Sequence, residues 1–176
     1  MINIVKQIID FYLKSWEKPR VEDLKVEDKS LFEKKWSIFV TLYVDDMIRW
    51  SKWNIKEIKD NVVLELIENT IWALKDSRFE KIDENNKDNI KIRIDEITNR
   101  WKPLADWEIK KIDPSKYGVL VIKTDYEKAW VILPNISWRL MTWEDFIPVL
   151  SKKLSEDFDD KNYIVYKIET KVESNL

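Results

Sequence analysis

Glycine is nearly missing from this chain, with one in 176 residues, and cysteine and histidine are missing altogether. Without Cys there is no disulfide and no thiolate chemistry, and without His the commonest general base and metal ligand is gone. Zinc sites of the Cys/His kind, His-based catalytic triads and Cys nucleophiles are therefore excluded. No apolar run approaches the length that spans a bilayer. Lys6 and Asp10 interrupt the place where a signal peptide needs its apolar stretch, so the expected location is the cytoplasm. Neither sign of charge dominates: 31 basic and 33 acidic side chains leave a net charge of -2, which argues against coating nucleic acid by bulk charge. The Gly deficit is the strangest of these absences, since at ordinary usage a chain of this length carries about 12. Positions that need a positive φ must be filled by residues with a Cβ.

Tryptophan is abundant instead, with ten residues. The densest aromatic and basic stretch runs from Met47 to Asn54 and holds Arg49, Trp50, Ser51, Lys52 and Trp53. Two structures fit it. As a loop it offers rings and donors for bases or phosphates; as a short edge strand it buries one Trp and has no ligand.

Around it, helical periodicity predicts an amphipathic helix from Ile4 to Trp16, stopped by Pro19, and a longer central helix from Ile55 to Lys75. A run of β-branched and aromatic residues from Phe39 to Val44 predicts a buried strand, with Asp45 and Asp46 as the turn after it. Glu80 to Asn89 reads as a solvated loop. Ile90, Ile92 and Ile94 alternate with Lys91 and Arg93, the pattern of a strand with one wet face. A short strand is expected at Glu108 to Ile112, and a hairpin from Val119–Lys123 and Ala129–Leu133. Thr142 and Asp145 form a capping box before a helix in which Pro148 should impose a kink or a later start. Tyr163 to Thr170 should be the last strand. Helices and strands are mixed without regular βαβ units, so the fold class is α+β, a mainly antiparallel sheet covered by helices. One domain over 1–176 is the default for this length, with two subdomains left open. The strand at Phe39–Val44 and the later hairpin are expected to share one sheet under the central helix.

The order of these features resembles the AMMECR domain family, also called protein A of the AmmeMemoRadiSam system, over about Leu31 to Phe158. In that family a strand reading Gly-x-Phe-Val-Thr-Leu leads into Leu-Arg-Gly-Cys-Ile-Gly. Here Trp36-Ser37-Ile38-Phe39-Val40-Thr41-Leu42 leads into Ile48-Arg49-Trp50-Ser51-Lys52-Trp53. Asp76-Ser77-Arg78-Phe79 is similar to the family's Asp-Pro-Arg-Phe, and Gly118-Val119 and Val131-Ile132-Leu133-Pro134 to its later Gly-Val and Leu-Pro segments. The fingerprint's Cys is Ser51 and its Ile is Lys52. The resemblance implies a binding or accessory module of unestablished activity, associated with a Memo-like protein and a radical enzyme using S-adenosylmethionine; no cofactor is expected. Its ligand-binding residues would be Arg49, Trp50, Ser51, Lys52, Trp53, Asp76 and Arg78.

Trp36, Trp50, Trp53 and Trp130 stand where that family has Gly. Trp16, at the end of the first helix, and Trp101 and Trp107, in turn contexts, stand where backbone geometry commonly calls for it. One account is that Gly codons are written as Trp, because UGA means Trp in some genetic codes and Gly in others; the other is genuine enrichment in Trp. On the first account Trp50, Trp53 and Trp130 should be exposed, crowded or in unusual backbone conformations, while Trp143, beside its cap, is a true Trp. With Gly at 50 and 53, main-chain N–H groups, Ser51 and Lys52 can converge on an anion beside Arg49. With Trp the same stretch is a stacking platform for a single-stranded nucleic acid or an apolar partner. An enzyme acting on a small anionic substrate, with Arg49 as its clamp, is a further alternative, although Ser51 has no His to activate it.

Overall fold

The computed structural model describes residues 1–44, 59–76, 82–83, 87–99 and 103–176, and the main chain alone of 47–52. The chain divides into two compact units, Met1–Glu96 with Lys171–Leu176, and Ile97–Thr170. Both are built of antiparallel strands and helices, so the α+β class holds.

In the first unit, helix α1 (Ile2–Ser15) buries Ile4, Val5, Ile8, Ile9, Tyr12 and Leu13, the face set by its periodicity. Trp16 ends it in the left-handed region, at φ 59° and ψ 16°, with its N–H donating to the Tyr12 carbonyl. Strand β1 (Ile38–Val44) is buried along its whole length. It pairs with β2 (Met47–Lys52) on one side and β3 (Ile90–Ile97) on the other, and the sheet order is β2-β1-β3-β7, with β7 spanning Thr170–Ser174. The even positions Ile38, Val40, Leu42 and Val44 join Ile90, Ile92 and Ile94 in a core closed by α1 and helix α2 (Val62–Leu74). That helix starts later than its apolar pattern suggests. Asn61 accepts a hydrogen bond from the Leu64 N–H and caps it, so Lys59 and Asp60 lie before the helix; residues 55–58 lie outside the described ones. Ile82, expected in a solvated loop, is buried in this core.

In the second unit, β4 (Gly118–Lys123) lies between β5 (Ala129–Ile132) and β6 (Tyr163–Ile168). The hairpin is as expected, but its sheet is separate from that of β1, which corrects the expectation of one shared sheet. The reason lies at the end of the last apolar run: Ile168 closes β6 and Thr170 opens β7, so the run expected as one strand supplies a strand to each sheet. Gly118 sits where a Cβ would come within 2.3 Å of the Ile132 carbonyl oxygen and 2.9 Å of the Pro134 ring, so any side chain there forces the backbone to shift. The segment expected as a strand near Glu108 is a helical turn, α3 (Asp106–Ile109), closed by the Glu108 carboxylate, which accepts from the Ala105 N–H. Helix α4 (Trp143–Leu154) begins at its cap, where Asp145 accepts from the Met141 and Thr142 N–H groups at 2.9 and 2.8 Å, and runs through Pro148. Its apolar face meets β4–β6 through Phe146, Leu150 and Leu154.

Candidate functional site

Met47 to Lys52 is a strand rather than a loop, and it forms one edge of the first sheet. Its pairing with β1 is interrupted: Leu42 stands opposite Trp50, but Tyr43 stands opposite Ile48. Arg49 is thus the extra residue of a β-bulge, a feature that bends a strand and re-aims a side chain, and one that recurs beside functional sites. Beyond the bulge Ser51 is in register with Thr41, and Thr41 with Arg93 on β3.

This row lies on the second face of the sheet, carrying Phe39, Thr41 and Tyr43 from β1 and Lys91, Arg93 and Asp95 from β3. The alternation of β3 predicts water on that face. The structure instead buries Arg93 (5% exposed), Asp95 (0%) and Thr41 (0%). Arg93 donates through Nε and Nη2 to the two oxygens of Asp95, at 2.8 and 2.7 Å. Such a fork-on-fork pair is the geometry that lets a guanidinium survive burial. Burial pushes the Tyr43 hydroxyl above its ordinary pKa, an effect the neighbouring Arg93 partly offsets. Thr41, Tyr43, Arg93 and Asp95 were not among the candidates from the sequence. The signal was there in Arg93 and Asp95, two residues apart on one strand and of opposite charge.

Of the expected site residues, the structure brings Arg49, Trp50, Ser51 and Lys52 together on β2. Asp76 is half-buried, two residues past the end of α2. Trp53 and Arg78, like the Asp45–Asp46 turn and Trp101, lie outside the described residues. The Trp residues do not behave alike. Trp130 sits in β5 opposite Val121, partly buried against the second core with the Lys153 ammonium 5.3 Å from its ring centre, so it shows none of the exposure or strain expected of a misplaced Trp. Trp143 is 3% exposed and meets Phe146 and Phe158 edge-on, as a true core Trp would. Trp16, Trp107 and Trp138 are more than half exposed, and Trp16 alone of the three has a positive φ.

In the second unit the groups furthest from their ordinary pKa form a network at the end of α4. The Glu156 carboxylate accepts from Lys128, Tyr163 and Lys123, which lowers its pKa to about 2; burial and this carboxylate hold the Tyr163 hydroxyl well above the usual range. A Tyr with a raised pKa donates hydrogen bonds and does not act as a base, so the cluster ties α4 to the β4–β5 hairpin. Among the described residues no group of acidic side chains could hold a metal ion, and no helix is long and apolar enough to cross a membrane.

Comparison with known proteins bears on the whole chain. A protein of Thermotoga maritima, described only as a protein, is 34% identical over 113 residues, which are 61% of this chain and 60% of its own length. The chain thus matches about three fifths of that curated relative. The crystal structure of an uncharacterized protein, PH0010, from Pyrococcus horikoshii matches 96% of this chain and 86% of its own with a TM-score of 0.79; at 20% identity the likeness is one of fold. The family model described as AMMECR1 matches residues 2–171, and the chain belongs to that family, whose function is uncharacterized.

Proposed function

We propose that this chain is a binding module whose ligand is a small anion, received at the bulged edge strand β2. The observation that carries this reading is the main-chain register of Ser51, Thr41 and Arg93 across three strands, beside the Arg49 bulge, with Thr41, Arg93 and Asp95 polar and yet buried. Polar side chains are kept in a protein interior only where their partners compensate the lost water, and Asp95 compensates Arg93. With Nε and Nη2 both committed, Arg93 holds the face in place, and Arg49 supplies the charge for a carboxylate or phosphate. Ser51 and Lys52, together with main-chain N–H groups of an edge strand, complete the receptor. Asp76 and Arg78 extend it on the strength of the family resemblance.

The same module acts in this proposal as an accessory to a Memo-like protein and a radical enzyme using S-adenosylmethionine. Screening the protein against inorganic phosphate, citrate and simple dicarboxylates by thermal shift tests the ligand: a saturable rise in melting temperature with one class is expected, and none with any would contradict it. Co-purification with a co-expressed Memo-like protein tests the partnership independently.

A further inference from the structure

We infer that a set of Gly codons is written in this chain as Trp, with position 16 the one at which the described backbone favours Gly most.

Helix α1 ends in an αL cap at Trp16, with φ 59° and ψ 16° and the N–H donating to the Tyr12 carbonyl. A left-handed residue after the last helical turn is usually Gly, because any Cβ meets the following carbonyl there. Tyr126, Asn135 and Ser155 also take a positive φ, Ser155 at the equivalent end of α4, so a Cβ there is a cost and not a bar; Trp is the bulkiest of the four. Trp16 gains little in return: its ring is 56% exposed and touches Tyr12 edge-on at 5.6 Å. Composition points the same way. The one Gly and the nine Trp other than Trp143 come near the ordinary Gly content of about 12 for a chain this long. The one Gly written as such, Gly118, stands where a Cβ would collide with backbone, so the fold does use Gly where geometry requires it. UGA is decoded as Trp in some genetic codes and as Gly in others, which makes one misreading sufficient for all the substituted positions. Trp143, packed between Phe146 and Phe158, is exempt.

Reading the ten Trp codons in the gene, together with peptide mass spectrometry of the protein from its native cells, tests the inference without any ligand. We expect UGA at position 16, UGG at 143, and native peptides that carry Gly at the UGA positions. A UGG codon at 16, or a native peptide containing Trp16, would overturn it. The geometric part has its own test in the expressed chain. Trp16→Gly should raise the melting temperature by about 2 to 4 °C, the shift that relief of a left-handed Cβ brings to a chain of this size. Trp143→Gly should lower it sharply. No rise for Trp16→Gly would mean the cap tolerates tryptophan. Failure of the anion screen leaves both tests intact, because neither reads binding.

Discussion

Arg93 and Asp95, two residues apart on β3, face each other through two hydrogen bonds of 2.8 and 2.7 Å with the carboxylate fully buried. Removing either partner alone takes from a buried charge the counter-ion that faces it through both of these bonds. Asp95→Ala should therefore destabilise the first unit by about 3 to 5 kcal/mol, while the double variant Arg93→Met, Asp95→Leu should lose much less. Urea denaturation of the three proteins checks this. A double variant as damaged as the single one would mean that the pair contributes net stability.

Glu156 gives the second unit an acid-sensitive tie. Its pKa falls from 4.5 in the unfolded chain to about 2 in the fold, chiefly through Lys128, then Tyr163 and Lys123. A depressed carboxylate stabilises the fold fully above its unfolded pKa and loses that stabilisation as pH drops toward the folded one. Melting temperatures measured from pH 5 to about pH 2 should fall less steeply in Glu156→Gln than in the parent chain. Parallel curves would show that the carboxylate's titration does not matter to the hairpin.

The β4–β5 hairpin should be intolerant at its first residue. Gly118→Ala places a methyl 2.3 Å from the Ile132 carbonyl oxygen, and backbone must move to admit it. A loss of about 1 to 3 kcal/mol is expected by chemical denaturation. An unchanged midpoint would mean that the strand ends separate freely.

Much of this architecture can be read from the residues. The apolar face of α1, the wholly buried β1, the Val119–Ile132 hairpin and the Thr142–Asp145 cap all follow from patterns of one to four residues, where local sterics and capping decide. What local pattern could not decide was partnership. The run from Tyr163 to Thr170 looks like one strand, and nothing within it says that Ile168 and Thr170 serve different sheets. At α2 the apolar spacing continues N-terminal to Asn61, and the cap sets the start of the helix. The proposed site is only partly legible in the residues. Composition singles out Met47–Lys52, whereas Thr41, Arg93 and Asp95 come onto the same sheet through pairing across strands far apart in sequence, and their burial runs against their polarity.

In the function proposed above, Arg49 at the bulge of β2 binds an anion and does not hold the fold together. Titration of the parent chain and of Arg49→Ala with the strongest anion from the phosphate and carboxylate screen, alongside thermal unfolding of both, tests it most directly. The account predicts that binding weakens by about 1.5 to 3 kcal/mol, on the order of ten- to a hundredfold, with the unliganded melting temperature nearly unchanged. Undiminished affinity, or a loss of melting temperature as large as the loss of binding, would contradict it.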